Sequence, residues 1–201
     1  MYPVFLKLDG LPCLVVGGGS VALRKTGPLL SAGASVTVLS ERFISEFDIY
    51  PAAKLIKEKY RKGFASGFKV VIAATDDDTT NSEVYTDAIA YGSLINVADK
   101  PELCNFFVPA ILDRGRLKIA VCTEGGFPAL SAKIKTELEE LYPERYEQLV
   151  DKLTELRNNI QAVESSHEKR MERCRKIAAS EAICKFLEGD DNALEGEFIT
   201  I

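Results

Sequence analysis

The chain has 201 residues, 46% of them hydrophobic and 27% charged, enough to bury the core of one ordinary domain with a smaller appendage. Its formal net charge of -5 excludes the broad basic footprint that DNA or an anionic membrane requires, so an anionic small molecule must find a local group of cations. Five scattered cysteines without a C-x-x-C pair read as free thiols, and a single histidine, His167, in a charged helical stretch excludes a histidine-rich metal cage.

Taken in chain order, the first apolar residues are interrupted by Lys7 and Asp9, which does not suit the core of a signal peptide, and no run is long enough to span a bilayer. The expectation is a soluble cytoplasmic protein. Apolar runs at residues 4–8 and 11–16 lead into a glycine turn and a helical pattern over 20–32. A β-branched strand at 35–40, another at 69–76, a helix over 79–91 and a further strand at 93–98 follow. Strands alternating with helices predict right-handed crossovers and a parallel sheet covered on both faces, an α/β doubly wound sheet of Rossmann type.

After Asp99 the pattern changes. Residues 106–112 and 117–123 flank Asp113-Arg114-Gly115-Arg116 and read as a hairpin, and residues 128–187 read as helical with an interruption at Pro143. Within 144–175, Leu149, Leu153, Leu156, Ile160 and Val163 recur at helical spacing, which gives one apolar face. The predicted division is a nucleotide-binding domain over 1–112 and a hairpin region with a C-terminal helical domain over 113–201.

The glycine turn carries Gly17-x-Gly19-x-x-Ala22 between an apolar strand and a helix, the context a dinucleotide fingerprint requires. Gly17 permits a tight turn, Gly19 lets the backbone come close to a pyrophosphate, and Ala22 lets the helix lie near the strand. Unpaired N–H groups at the helix start, those of Ser20 and Val21 among them, would face phosphate oxygens. Past the second strand, Glu41 suits a ribose hydroxyl and hence NAD, whereas Arg42 suits a 2′-phosphate and hence NADP; the residues leave both open. Thr75 closes a later strand at the same edge of the sheet.

The stretch Asn96-Val97-Ala98-Asp99-Lys100-Pro101, followed by Phe106, Pro109 and Asp113-Arg114 through Leu117, Ile119, Ala120 and Val121, joins with the glycine turn in a specific pattern. On these residues the chain resembles the precorrin-2 dehydrogenase family, which includes dehydrogenase/ferrochelatases and the N-terminal part of siroheme synthases. The resemblance implies oxidation of precorrin-2 to sirohydrochlorin with NAD as cofactor, in sirohaem biosynthesis. It also implies a homodimer through the C-terminal part and in some members metal insertion, while the acidic charge balance leads to the expectation of no nucleic-acid or membrane partner. The family's essential aspartate falls on Asp99, and its cofactor contacts fall on the glycine turn with Ser20 and Val21 and on Glu41 and Arg42. The chain departs from the family at Glu124-Gly125-Gly126-Phe127-Pro128, where relatives carry small and hydroxyl residues leading into Ser-Pro, and Glu124 and Phe127 are expected near the active-site rim.

Asp99 is expected to accept the proton that the oxidised macrocycle sheds, against the alternative of capping the turn before Pro101. Asn96, Lys100 and Asn105 are candidate substrate contacts, and Arg114, Arg116, Lys118, Lys133 and Lys135 are candidate partners for substrate carboxylates. No resident metal site is expected. Two rival readings remain: a non-catalytic NAD/NADH-sensing dimer, and a dehydrogenase of a small hydroxy acid, which would lack the usual His or Lys-Tyr partner near the cofactor.

Overall fold

The structure is a computed structural model and describes residues 1–199. The chain divides into two compact units, residues 1–108 with 124–126, and residues 109–123 with the chain from 127 onward. The division falls before Pro109 rather than at residue 112, because strand β6 begins at Ala110 and pairs along its whole length with β7.

The first unit is built on a five-stranded, all-parallel sheet in the order β3-β2-β1-β4-β5, comprising β1 (Pro12–Val16), β2 (Ser35–Leu39), β3 (Lys54–Ile56), β4 (Val70–Ala73) and β5 (Leu94–Val97). Central strands buried on both faces explain the unbroken apolar runs of β1 and β4. Alternation along β1 sends Cys13 and Val15 to one face, with Ala22 and Leu29 of α1 (Ser20–Ser31), and Leu14 and Val16 to the other, with Val84 and Ala88 of α2 (Asp78–Ala90). The chain turns from β1 to β2 on one side and reaches β4 on the other, so a crevice opens between their carboxyl ends.

Two sequence expectations change. Residues 4–8 form no strand; Val4, Phe5 and Leu6 are exposed and lack a ladder partner. Conversely, β3 was not anticipated from Lys54-Leu55-Ile56, which pairs at the sheet edge with Thr37, Val38 and Leu39. The crossover from β3 to β4 contains no helix and runs through successive tight turns instead. The buried Asp87 of α2 organises it, accepting hydrogen bonds from the Tyr60 hydroxyl (2.6 Å) and the backbone N–H groups of Gly63 (2.8 Å) and Ala65 (3.4 Å).

The second unit begins with the antiparallel hairpin of β6 (Ala110–Arg114) and β7 (Leu117–Val121), which turns at Gly115-Arg116 with Gly115 at φ 62°. Five helices follow among the described residues: α3 (Pro128–Leu141), α4 (Arg145–Val163), α5 (His167–Ala178), α6 (Glu181–Glu188) and α7 (Glu195–Ile199). The apolar face anticipated on α4 is used twice, Leu149 packing with Phe186 and Leu194, and Leu156 and Ile160 with Ile177. His167 is exposed at the start of α5. No helix among the described residues is long and apolar enough to cross a membrane.

Leu14 is fully buried between the sheet and α2. Leu14→Ala should therefore destabilise the protein by about 2–5 kcal/mol in urea unfolding; a loss well under that range would contradict the tight packing described for this face.

Candidate functional site

The crevice at the carboxyl edge of the first unit's sheet has a volume of about 800 Å³, within the range of roughly 300–1,000 Å³ that small-molecule and cofactor sites occupy. Its floor is the glycine turn. Gly17 has φ 131°, and a Cβ there would lie 2.2 Å from the Ala74 carbonyl oxygen. A Cβ on Gly18 would lie 1.9 Å from the carbonyl oxygen of Arg42, and the Gly18 carbonyl accepts a hydrogen bond from Ile44 N–H at 3.0 Å. Gly19 behaves differently, since a Cβ there would meet nothing within 4 Å. The open space beside it lies at the start of α1, where Gly19 is the cap residue, no side chain caps the helix and no acid occupies the first turn.

The N–H groups of the first turn of α1 have no partner within the helix, and the helix dipole makes that end favourable to anions. Ser20 and Val21 line the crevice there. Five acidic side chains line it (Glu41, Glu58, Asp76, Asp77 and Asp99) against two basic ones, Arg42 and Lys59. A phosphate in this crevice would therefore be served by backbone N–H groups rather than by a cluster of cations. The residues present fit a dinucleotide.

Glu41 and Arg42 both line the crevice, are exposed, and stand past the end of β2 as expected. Thr75 lines it on the β4 side and is locked by the buried Asn81. Its backbone N–H donates to Asn81 Oδ1 (3.3 Å), while Asn81 Nδ2 donates to the Thr75 carbonyl (3.0 Å). Asp77 is used as the cap of α2, accepting from Thr79 N–H and from Thr80 N–H and hydroxyl, bonds led by that to the Thr80 hydroxyl that hold its carboxyl below the usual range. Ala22 is fully buried and does not line the crevice; its small side chain lets α1 approach Gly17.

Asp99 lines the crevice in the turn after β5 and is exposed. Its φ of 60° is a left-handed conformation that costs a residue other than glycine about 1–3 kcal/mol. Its carboxylate caps no turn: Lys100 is the cap residue of the following short 3₁₀ turn (Pro101–Leu103), which no side chain caps. The surrounding loop is instead held by its neighbours. Asn96 Nδ2 donates to the Phe106 carbonyl (3.1 Å), and Asn105 accepts from Ile95 N–H (2.7 Å) and donates to the Ser93 carbonyl (3.1 Å). The Cys104 thiol bonds the carbonyls of Val97 (3.4 Å) and Lys100 (3.3 Å), and its burial raises its pKa. Asn96 and Asn105, expected as substrate contacts, thus spend their amides inside the fold and do not line the crevice.

Lys100 is drawn to Asp78 at the start of α2 (2.8 Å) and likewise does not line the crevice. Among the other candidate cations, Arg116 pairs with Asp151, Lys118 with Asp113, Lys133 with Glu137 and Lys135 with Glu139, while Arg114 donates to the Tyr142 carbonyl. Exposed pairs of this kind contribute about 0–1 kcal/mol and exchange readily. One cation escaped the sequence reading: Lys25, half-buried on α1, whose ammonium is held below its ordinary value by burial and by Arg24, against opposing pulls from Cys104 and Asp99. Gly125 packs within the same unit, a Cβ there meeting Phe107 at 3.3 Å and Pro101 at 3.4 Å, which sets residues 124–126 against the segment following Asp99.

A family model described as putative NAD(P)-binding matches residues 4–110, more than half of the chain. The chain belongs to this NAD(P)-binding family. A siroheme synthase of Methylococcus capsulatus is 42% identical over 161 residues, covering 79% of this chain and 34% of that protein. Another, of Psychrobacter cryohalolentis, is 39% identical over 164 residues, covering 80% and 31%. The chain therefore spans about a third of the length of these relatives. Among solved structures, that of SirC, a precorrin-2 dehydrogenase, matches with a TM-score of 0.80 and 28% identity over 100% of this chain and 98% of its own. These findings agree with the family resemblance carried by the glycine turn and the Asn96–Pro101 motif.

Gly19 separates binding from folding. Gly19→Ala should leave the fold intact with only a small drop in melting temperature, since a Cβ there meets no atom of another segment within 4 Å and Ala is a slightly poorer cap. It should weaken NAD binding by about tenfold or more in calorimetry, because the added methyl group would fill the open space where the fingerprint brings the backbone close to a pyrophosphate. Unchanged affinity would remove the phosphate cradle from this turn.

Proposed function

We propose that the chain oxidises precorrin-2 to sirohydrochlorin with NAD as hydride acceptor, in sirohaem biosynthesis. The observation that carries this reading is Asp99, an exposed carboxylate held in a left-handed turn at the crevice beside the glycine turn, in a fold similar along its whole length to a precorrin-2 dehydrogenase. Strain retained at a crevice-facing acid points to a task that a relaxed residue would not perform.

NAD, when bound, supplies the acceptor for the hydride. The chain's own residues do the rest. The first turn of α1, with Gly17, Gly19, Ser20 and Val21, binds the pyrophosphate. Glu41 accepts from the adenosine ribose, which favours NAD, and Arg42 lies beside it. Thr75, fixed by Asn81, would help to hold the nicotinamide half of the cofactor. Loss of hydride leaves the macrocycle cationic, and Asp99 takes the proton whose departure completes the two-electron oxidation. Asn96, Asn105 and Cys104 hold the Asp99 loop in place. Lys100 exchanges its Asp78 partner for a substrate carboxylate.

A homodimer through the second unit is part of this reading. It is supported by a two-stranded hairpin, marginal by itself, and by the exposure of Ile111, Phe127, Leu130 and Leu141 in that unit. Sedimentation at micromolar concentration should give the mass of two chains. A cytoplasmic location is part of this reading, supported by the use of NAD as hydride acceptor.

The deciding assay is anaerobic, with enzymatically generated precorrin-2 and NAD, followed by the absorbance of sirohydrochlorin. Asp99→Ala should lower turnover by about 10²–10⁴-fold with NAD affinity retained; full turnover would return Asp99 to a structural role. NAD binding without oxidation by the unaltered chain would favour the sensor reading. Ferrous iron added after oxidation tests metal insertion, for which Asp99 would accept the pyrrole N–H protons.

A further inference from the structure

Tyr60 and Asp87 are not needed to bind phosphate or to move a proton, yet they form a built arrangement at one end of the crevice. Tyr60 is 7% exposed and Asp87 5%, and the hydroxyl-to-carboxylate distance is 2.6 Å. Asp87 lies on α2 and does not line the crevice, whereas Tyr60 does, together with Glu58 and Lys59 from the helix-free crossover after β3. Two backbone N–H groups of that crossover, those of Gly63 and Ala65, converge on the same carboxylate oxygen. The crossover thus has its wall-forming residue and the turn behind it fastened to a single acid.

The position of this wall follows from the sheet order. The glycine turn after β1 holds the phosphates at the centre. Thr75 and Asp99 follow β4 and β5 on one side, and Glu41 and Arg42 follow β2 on the other. Ser40 N–H donates to the Ile56 carbonyl at 3.1 Å, so the crossover leaves β3 directly beside the ribose-facing end of β2. A dinucleotide whose adenosine ribose meets Glu41 places its adenine beyond β2, against residues 58–60.

We propose that Asp87 is a positioning residue for the adenosine half of the cofactor, acting through Tyr60 to hold the 58–60 wall at the end of the crevice. This deepens the NAD-dependent reading and rests on it. Burial, reinforced by the bond to Asp87, keeps the Tyr60 hydroxyl protonated well above its ordinary range, so it remains a donor wherever the enzyme works. Among helix-linked sheets, a helix ordinarily stiffens such a crossover through its own hydrogen bonds. Here one side chain from a neighbouring helix takes that task.

The test compares the two halves of the dinucleotide. Tyr60→Phe keeps the ring and removes only the hydroxyl donor. The full chain and this variant are titrated calorimetrically with NAD, AMP and nicotinamide mononucleotide, and Asp87→Asn, which keeps the side-chain shape, is measured alongside. The expected result is that both variants weaken NAD and AMP by about five- to tenfold while nicotinamide mononucleotide binding is unchanged. Equal affinities for all three ligands in variant and unaltered chain would overturn the positioning role. So would a lowered melting temperature with both halves weakened alike, which marks a merely structural bond. Failure of the unaltered chain to bind NAD would overturn the cofactor reading itself, and with it this inference, and is distinguished by appearing before any substitution.

Discussion

At the end of β1 the backbone passes two other backbone segments at distances that leave no space for a Cβ. Gly17 meets the carbonyl of Ala74 after β4, and Gly18 meets the carbonyl of Arg42 after β2. This double approach draws the ends of three neighbouring strands together and sets the start of α1 over the place where the sheet's connections diverge. The crevice, its anion-favouring helix end and the positions of Glu41, Arg42 and Thr75 all depend on it. Acidic side chains outnumber basic ones in the crevice, so the backbone dipoles of that helix end are what make it hospitable to a dinucleotide.

The same sheet edge separates two kinds of work. Toward β5, the polar side chains around Asp99 are consumed in holding its loop, through Asn96, Asn105 and Cys104, which leaves the aspartate itself in a left-handed turn facing the crevice. Toward β2 and β3, the crossover lacks a helix, and its turns are fastened by Asp87 instead. In both places buried polar groups gain their hydrogen bonds inside the fold, as their desolvation demands, and the groups left for ligands are few.

Periodicity revealed the parallel core because strands covered on both faces must be apolar throughout, and β1 and β4 are. It erred where burial did not follow composition. Val4, Phe5 and Leu6 are apolar yet exposed, and Lys54–Ile56 is only three residues long, its strand character coming from pairing with β2 rather than from its own pattern. In the site, Gly17, Gly19, Ser20, Val21, Glu41, Arg42, Thr75 and Asp99 were recognisable and line one crevice. Gly18 was passed over because the fingerprint leaves its position open, although its contact with Arg42 is the tightest of the three.

The sequence by itself determined the sheet class, the glycine turn and the aspartate motif, because each is encoded in adjacent residues whose types have a local physical reason. Only the tertiary structure decided which polar side chains are free to meet a ligand. Asn96, Lys100 and Asn105 look available in a linear reading, and their amides and ammonium are engaged by partners eight to twenty-two residues away along the chain. Asp87 looks like an ordinary helix acid until the crossover folds onto it. Hydrogen-bond satisfaction is a property of three-dimensional neighbours, and spacing along the chain does not report it.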